Sequence, residues 1–424
     1  MEITSFGLVF LLICFICFFK PVKYLLYIVI ISCVFQAAAV LNLYGKGIPP
    51  CVLAEFLFII KVLWKDSWRI VFRSSLLKIL LVFVLYSATV SLIMPFVFNG
   101  IKVIVPGETT DSDLAMGEIM GHLKFSIRNV IQVIYLIVNS LTIYCISRVY
   151  HEITEAQTFG IFFNAIKIVL LIGFWEFIAK VSGTYYFPDT FFYSNIGYVQ
   201  YWLQGARMNS TFTEPSYAGA FLSAALCGII YLGKKRGLLI LVAIAFLLNL
   251  SGTGLASFLL VIVCSFFFYP RRMYKYILWG VLLYLLAHLI NYDNLVLEML
   301  MSKGESSSGL ARTGAVRYTL SLIANTYFMG VGLGSHRCFS FLTGLIAAIG
   351  ISGLLLFLYF VWKLVRPVLY SNSQREGRSI VVFAGSLFVA QCLAIPDFSF
   401  PIMWMWIYLL TILHYKLSAP RVCS

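Results

Sequence analysis

The chain has 424 residues and a formal net charge of +14, yet only 11% of its residues are charged and 61% are hydrophobic. Its mean hydropathy is +0.94, whereas an ordinary soluble domain is about 25% charged and less than half apolar. The composition excludes a soluble globular domain, and in a membrane protein an excess of basic residues indicates a positive-inside distribution rather than binding to nucleic acid.

The apolar residues form continuous blocks of about 15 to 22 residues, which is enough to cross a hydrocarbon core of ~30 Å as helices. The blocks do not alternate as the strands of a membrane barrel would. We therefore predict an all-α, polytopic integral membrane protein, a single transmembrane domain over residues 1–424 with about 12–13 transmembrane helices. The predicted spans are residues 3–19, 22–41, 50–64, 76–98, 127–148, 158–179, 216–233, 237–250, 255–269, 276–290, 341–362, 380–395 and 402–415.

If these spans alternate, the clusters of basic residues share one side of the membrane, which the positive-inside rule assigns to the cytoplasm. The clusters lie within residues 20–23, 61–78, 234–236, 271–275 and 363–378. Parity puts the N-terminus outside if there are thirteen spans, but twelve spans fit the sequence as well. The opposite side then carries residues 99–126 and two large loops, 180–215 and 291–340, where we expect the functional chemistry.

The first large loop ends in "RMNSTFTEPSYAGAFL", Arg207 to Leu222. Glu214 precedes Pro215, and proline is favoured at the first position of a helix. The sequence therefore places Glu214 at a helix N-terminus, where a negative charge is favoured. Glu214 either caps this helix or pairs with Arg207, or it positions or deprotonates a substrate hydroxyl group.

The second large loop contains Arg312, Arg317, the glycine-rich "GVGLGS", His336 and Arg337. Arginine is uncommon on the outer side of a membrane protein, and its planar fork of donors fits phosphate or carboxylate. These arginines either bind a lipid-linked phosphate or pair with acids and lipid headgroups. The glycines predict a tight turn that could approach a ligand closely. His336 has a side chain whose ordinary pKa suits a general base.

Several weaker features remain in the apolar part of the sequence. "SGTG", residues 251–254, predicts a tight outer turn, and Asp397 lies between the last two spans on the outer side. Trp404 and Trp406 are expected at interface depth. Glu176 lies near the outer end of its span, where its side chain could reach lipid headgroups.

The order of "RMNSTFTEPSYAGAFL", "KKRG", "SGTG", "ARTGAVRYTLSLIANTYFMGVGLGSHR", "GISGLLLFL" and "IPDFSFPIMWMW" resembles the bacterial O-antigen polymerases of the Wzy type. The resemblance covers roughly residues 200 to 410. It implies a GT-C-like helical fold with two large periplasmic loops, in the bacterial inner membrane, with the active site facing the periplasm. It extends to exopolysaccharide or capsule polymerases and to O-antigen ligases, which remain alternatives. A transporter of lipid-linked sugars is a further alternative of another class.

The resemblance implies a glycosyltransferase that joins undecaprenyl-pyrophosphate-linked oligosaccharide repeat units, adding the growing glycan to the nonreducing end of the incoming unit. No metal or cofactor is implied, and the implied partners are membrane lipids and a chain-length regulator of the polysaccharide co-polymerase type. The essential arginines of the family's two loops correspond to Arg207 and to Arg312 or Arg317. "GSHRCFS" looks like the polymerase pattern, in which Arg337 is functional and His336 is its neighbour. The full set of candidate residues is Arg207, Glu214, Arg312, Arg317, His336 and Arg337, with Tyr198 and Trp202 as aromatic contacts to sugar.

Overall fold

The computed structural model describes residues 2–65, 72, 74–105, 113–114, 116, 118–119, 121–183, 186–198, 205, 207–268, 307–371 and 375–418. Within these residues the protein is mostly helical, with five strands of two or three residues each. The predicted span at 276–290 and residues 291–306 of the predicted second loop lie outside the described residues.

The helices follow the apolar runs of the sequence in chain order. The first part of the chain contains α1 Ser5–Phe18, α2 Val22–Ser32, α3 Pro50–Lys65, α4 Ser75–Val97, α5 Ile127–Val149, α6 Glu155–Ser182 and the short α7 Asp189–Phe192. The second part contains α8 Pro215–Leu232, α9 Arg236–Asn249, α10 Gly252–Phe268, α11 Ser307–Asn325, α12 Phe341–Tyr370, α13 Arg375–Ala394 and α14 Pro401–Ser418. A 3₁₀ turn, Tyr150–Glu152, joins α5 to α6.

Polar side chains and glycines set the ends of several helices. Thr4 and Ser74 each accept a hydrogen bond from a backbone N–H in the first turn of α1 and α4. Thr154 and Gln157 form a reciprocal capping box at the start of α6. The same helix ends at Gly183, whose φ of 65° is easily reached only without a side chain.

Six helices in the described part of the chain are long and apolar enough to cross a membrane. They are Ser75–Val97, Ile127–Glu152, Glu155–Ser182, Pro215–Leu232, Phe341–Tyr370 and Arg375–Ala394. Shorter apolar helices occur at Ser5–Phe18, Val22–Ser32, Arg236–Asn249 and Gly252–Val263. The described residues therefore fit an all-α membrane protein, with six helices of full spanning length where about 12–13 spans were predicted over the whole chain.

One predicted span, residues 22–41, is helical only as far as Ser32. Its last residue, Leu41, begins β2 (Leu41–Leu43), which pairs antiparallel with β1 (Glu2–Ile3) and β3 (Lys46–Ile48). Tyr44 and Gly45 turn this hairpin with φ values of 47° and 78°. A second, smaller pairing joins β4 (Lys102–Val103) to β5 (Gly121–His122).

Helix α14 lies in the core, in contact with α12, α5, α13 and α6. Its residues from Ile402 to Leu413 are buried. Trp404 and Trp406, which were expected at interface depth, are each only 2% exposed. The Trp404 indole N–H donates to the Phe398 carbonyl at 3.0 Å. Both indoles therefore pack against protein, because α14 is surrounded by other helices, and their position at interface depth stays a prediction.

The connectors between helices collect at two ends of the helix bundle. Hydrogen bonds link residues 37–42, 194–195 and 209–211 at one end, and residues 98–105, 121–126, 326–340 and 395–400 lie at the same end. We call it the cluster end, after the cluster of side chains around Asp397 that is described below. The other end, which we call the basic end, carries the connector residues 19–21, 72, 74, 150–154, 233–235 and 371. There Lys61 donates to the Phe18 carbonyl, and Lys65 pairs with Glu152 at 3.0 Å.

Candidate functional site

The segment that leads to Glu214 is held by a buried carboxylate on α6. Glu176 is completely buried and forms an ion pair with Lys180, with a distance of 2.6 Å between Nζ and Oε1. Its other oxygen accepts hydrogen bonds from the backbone N–H groups of Asn209, at 2.9 Å, and Ser210, at 2.5 Å. Glu176 therefore does not reach out to headgroups, as the sequence had suggested, but fixes the backbone of the first large loop.

Asn249, at the end of α9, holds the same segment from the opposite side. Its amide group donates to the carbonyls of Met208, at 2.6 Å, and Pro215, at 3.0 Å. The "SGTG" segment that follows was predicted to be a tight turn, but residues 252–254 are the first turn of α10. The Ser251 oxygen accepts from the Gly254 N–H at the start of this helix. Residues 208–215 are thus fixed between α6 and α9.

Glu214 lies at the N-cap position of α8 with extended backbone angles, as predicted, but its side chain forms no capping bond. The Ser216 hydroxyl donates to Glu214 Oε2 at 2.9 Å. The Arg207 carbonyl accepts from Lys180 at 2.7 Å. Within the described residues no ion pair joins Arg207 to Glu214, so the carboxylate is left for other partners.

The glycine-rich turn of the second large loop packs against helices. Gly330, Gly332 and Gly334 have φ values of 87°, 94° and 80°. A Cβ atom on Gly332 would lie 3.0 Å from the Ser91 backbone on α4, and one on Gly334 would lie 3.0 Å from the Arg128 carbonyl on α5. The close approach that the sequence predicts is therefore made to the protein's own backbone.

Hydrogen bonds to α4 and α5 hold the glycine-rich turn in place, and Arg337 follows directly after this turn. The Asn129 amide donates to the Leu333 carbonyl at 2.8 Å, and the Leu333 N–H donates to the Ser91 hydroxyl at 3.0 Å. The Arg337 N–H donates to the Ile104 carbonyl, beside β4, at 2.8 Å. The backbone of Arg337 is therefore tied to residues far away in sequence.

His336 is used by the fold through both of its ring nitrogens. Nδ1 accepts a hydrogen bond from the Ile104 N–H at 3.2 Å, which leaves the ring proton on Nε2, 2.8 Å from the Thr319 hydroxyl on α11. Burial lowers the pKa of His336 to about 3. The neutral ring thus joins β4, α11 and the turn before α12, and these contacts offer no free ring nitrogen for a general base.

The two arginines predicted on α11 have different surroundings. Five residues along a helix correspond to a rotation of ~140°, so Arg312 and Arg317 lie on different faces. Arg317 is exposed, whereas Arg312 is half-buried and its guanidinium carbon lies 5.7 Å from the centre of the Phe339 ring. The Arg337 guanidinium carbon lies 4.8 Å from the centre of the same ring. Phe339 therefore brings Arg312 and Arg337 together.

Five side chains from three loops come together around Asp397. Asp397 interacts electrostatically with Arg337 and Glu214, and it lies 3.5 Å from the Tyr217 hydroxyl, measured between Oδ2 and Oη. Tyr198 interacts with Asp397 in turn. We call this set the Asp397 cluster: Tyr198, Glu214, Tyr217, Arg337 and Asp397.

Water reaches two side chains of the Asp397 cluster. Asp397 is exposed and Tyr198 is 40% exposed, although protein surrounds both side chains on most sides. A group on the floor of an open recess has both properties, because protein surrounds it on most sides while water still reaches its polar atoms. Burial raises the pKa of Asp397, the charge of Arg337 opposes this rise, and the charge of Glu214 adds to it. Because water reaches the carboxylate, we expect the rise to be moderate.

The structure thus brings together three of the residues predicted from the sequence, Tyr198, Glu214 and Arg337, and places Arg312 beside Phe339. Arg207, Arg317 and His336 are described, but no described contact joins them to the Asp397 cluster. Trp202 lies outside the described residues. Asp397 and Tyr217 were not among the predicted site residues, although an acid between two apolar helices was a usable signal for Asp397.

This arrangement can do three things chemically. Two guanidinium groups beside an aromatic ring can bind an anionic phosphate group. Two neighbouring carboxylates, Asp397 with a raised pKa and Glu214, can divide the work of a base and an orienting group. Two tyrosines in a water-accessible recess can contact a polar ligand with an apolar face.

No protein-family model matches the sequence, and no curated protein matches it. The function must therefore be argued from the Asp397 cluster itself.

Proposed function

We propose that this protein is a membrane glycosyltransferase of the O-antigen polymerase type, which joins oligosaccharide repeat units carried on undecaprenyl pyrophosphate. The observation that carries the proposal is the position of Arg337. It contacts Phe339 together with Arg312, and it interacts with the carboxylate of Asp397. Arg337 thus lies between Arg312, with which it can bind an anion, and the carboxylates of Asp397 and Glu214. Transfer from a pyrophosphate donor requires both a site for the anionic leaving group and a group that activates the acceptor.

Arg312 and Arg337 are the proposed binding site for the donor pyrophosphate. Negative charge develops on the pyrophosphate oxygens as the bond to the sugar breaks, and fixed cations stabilise that charge. The Arg312 Nε is buried and has no hydrogen-bond partner within the described residues. A buried donor without a partner is costly, and a phosphate oxygen would satisfy it.

Asp397 is the proposed base for the acceptor sugar. Its carboxylate takes the proton from the acceptor hydroxyl, whose oxygen forms the new bond to the anomeric carbon of the donor. The bond from that carbon to the pyrophosphate breaks, and undecaprenyl pyrophosphate leaves with the electron pair. A raised pKa makes Asp397 a better proton acceptor than an ordinary aspartate. Glu214 then orients the hydroxyl groups of the sugar.

Tyr198 and Tyr217 are the proposed contacts for sugar rings. The Tyr217 ring lies 5.4 Å from that of Phe400, measured between ring centres, so it is held by packing. A role for Trp202 stays a prediction, as does the partnership with a chain-length regulator of the co-polymerase type.

The proposed orientation follows from the basic end of the bundle. Basic residues favour the cytoplasmic side, so we place the Asp397 cluster on the periplasmic side of the bacterial inner membrane. A lipid-linked donor in the outer leaflet would then reach the recess without leaving the membrane surface.

The experiment is the lipopolysaccharide ladder of a strain in which the gene is deleted and replaced by variants. We expect Arg337→Ala and Asp397→Asn to reduce the ladder to core plus one repeat unit, because loss of a charge-stabilising group or of a general base costs about 100-fold or more in rate. Arg317→Ala is the matched control, since that side chain is exposed on the same loop, and it should leave the ladder unchanged.

The deletion itself separates the alternatives. Core without any repeat unit would indicate a ligase, and an intact ladder with loss of another surface polysaccharide would indicate an exopolysaccharide or capsule polymerase. Loss of lipid-linked units from the periplasmic face would indicate a transporter. An unchanged ladder in both active-site variants, with normal amounts of protein in the membrane, would contradict the assignment of the Asp397 cluster.

A further inference from the structure

A cavity of about 620 Å³ opens at the basic end, at the other end of α12 from the Asp397 cluster. Helix α12 begins at Phe341, so Arg366 lies roughly 37 Å along it at ~1.5 Å per residue. The cavity is therefore separate from the proposed active site. The residues that line it come from α4, α12, α14 and the 3₁₀ turn: Ser74, Ser75, Tyr150, Lys363, Arg366, Pro367, Tyr370, His414, Tyr415 and Ser418.

The described residues of the lining carry two positive charges and no carboxylate. Lys363 is half-buried and Arg366 is exposed. The Lys363 Nζ lies 5.6 Å from the centre of the Tyr359 ring, and the Arg366 guanidinium carbon lies 6.0 Å from that of Tyr370. Within the described residues neither cation forms an ion pair with an acid. Two uncompensated cations at one cavity favour an anion.

The remaining polar groups of the cavity suit a phosphate. Ser74 is the N-cap of α4, so the free N–H groups and the positive end of that helix lie at the lining. The Ser74 hydroxyl lies 2.7 Å from the Tyr415 hydroxyl. His414 Nδ1 lies 3.2 Å from the Leu364 carbonyl, which can only accept, so the ring donates there and is held against α12. The cavity thus combines charged and neutral donors.

The surroundings of the cavity indicate a lipid and not a freely dissolved ion. Tyr359, Trp362 and Tyr370 are 48%, 47% and 70% exposed on α12. Exposed tyrosine and tryptophan near the end of an apolar helix are typical of the membrane interface. The cavity volume of about 620 Å³ is many times the ~30 Å³ that one water occupies in the liquid. It therefore has room for more than one phosphate group.

We infer that this cavity binds the headgroup of an anionic phospholipid, with the phosphate held by Lys363 and Arg366 beside the N-terminus of α4. Basic pockets between membrane helices are known to take such headgroups. The inference does not depend on the proposed glycosyltransferase activity, because it concerns other residues at the other end of the bundle.

The test uses the purified full-length protein in detergent and native mass spectrometry. The probes are phosphatidylglycerol, which is anionic, and phosphatidylcholine, which carries the same phosphate without net charge. We expect tighter binding of phosphatidylglycerol, and in the Lys363→Gln/Arg366→Gln variant a loss of affinity of about tenfold or more. The matched control is Lys234→Gln/Arg236→Gln, because both side chains are exposed at the same end outside the cavity. The control should change affinity less than about twofold.

Equal losses in the two double variants would overturn the inference, because they would indicate a diffuse surface charge. Unchanged binding in the cavity variant would overturn it as well. Inorganic phosphate in large excess serves as competitor, and displacement at the concentration that binds phosphate alone would assign the site to a free anion. If the double variant does not fold, the affinity for phosphatidylglycerol is measured with the single variant Arg366→Gln. This exposed side chain can be changed without disturbing the core.

Discussion

At the scale of residues, the pKa of the proposed base depends on which charged side chains lie near it. Asp397 is influenced in opposite directions by Arg337 and Glu214. These three residues are separated by at least 60 positions in sequence, so no local motif contains the pair interactions that set the pKa. The two influences can be separated by experiment because they have opposite signs.

The first prediction concerns the pH dependence of transfer in a reconstituted assay with lipid-linked repeat units. If Asp397 is the base, the rate falls below its pKa. Glu214→Gln removes a negative charge that raises this pKa, so the acidic limb of the rate profile should move to lower pH. Arg337→Gln removes the charge that opposes the rise, so its residual activity should show the limb at higher pH. Shifts in the same direction for both variants would exclude Asp397 as the titrating base.

The second prediction assigns His336 to stability and not to proton transfer. The folded protein holds this histidine neutral, with a pKa of about 3, below its ordinary value of ~6.5. The unfolded chain therefore binds more protons at moderately acid pH, and stability is lost as the pH falls from ~6.5 towards 3. Thermal unfolding of the wild type should show this loss. His336→Gln should show a smaller loss, and it should be destabilised at neutral pH, where the Ile104 N–H loses its ring partner.

Glycosyl transfer by His336→Gln should persist, when compared at a temperature where the variant is folded. A complete loss of transfer by a fully folded variant would instead support the role of a catalytic base that the sequence first suggested for this residue.

At the scale of elements, helix α12 is interrupted where the glycine-rich turn crosses it. Gly350 has φ 73° and ψ 174° inside the helix, a conformation that is essentially restricted to glycine. The carbonyls of Ala347 and Ala348 accept from the N–H groups of Val331 and Gly332, each at 2.8 Å. Non-helical backbone within a membrane span needs such partners. The interruption and the turn therefore stabilise each other.

The third prediction is that Gly350→Ala is strongly destabilising. Its Cβ atom would lie 2.5 Å from the Phe328 carbonyl oxygen, and the backbone angle is strained for any L-residue. We expect a cost of about 3 kcal/mol or more, measured as a lower unfolding temperature in detergent. Gly385→Ala on α13 is the matched control, because a Cβ atom there meets nothing within 4 Å. Equal stability of the two variants would contradict the described interruption.

The fourth prediction concerns the support of the first large loop by α6. Glu176→Gln leaves Lys180 as a buried charge without its partner, and breaking such a pair costs about 3–5 kcal/mol. The Glu176→Gln/Lys180→Met variant removes both charges and should recover part of that stability. A double variant that is no more stable than the single variant would mean that the pair is not coupled in the folded protein.

At the scale of the whole molecule, apolar runs predicted the helices well and the site only in part. Helices α4, α5, α8 and α9 begin and end within a residue of their predicted bounds, because the length of an apolar run limits the helix directly. Leu41 was placed in a helix but lies in a strand, since its pairing with Ile3 of β1 is a tertiary interaction. The Asp397 cluster could not be predicted for the same reason, because its members meet only when three loops come together.

The fifth prediction tests the two ends of the bundle against the membrane. Tyr44 is 97% exposed in the hairpin at the cluster end, and Lys234 is exposed at the basic end. In intact cells, a maleimide that cannot cross the inner membrane should label Tyr44→Cys, while Lys234→Cys should be labelled only after the membrane is opened. The described native cysteines are buried or half-buried, so the wild type supplies the background.

The labelling pattern has consequences for both proposals. The proposed polymerase needs the Asp397 cluster on the periplasmic side, because that side holds the lipid-linked units to be joined. The reverse pattern would place the recess in the cytoplasm and would contradict that function, whatever the effect of Arg337→Ala on the ladder. It would not affect binding of an anionic headgroup at Lys363 and Arg366, because that binding depends on the cavity and on the lipid beside it. The two ends of the molecule can therefore be tested independently, which is the reason to begin with the orientation.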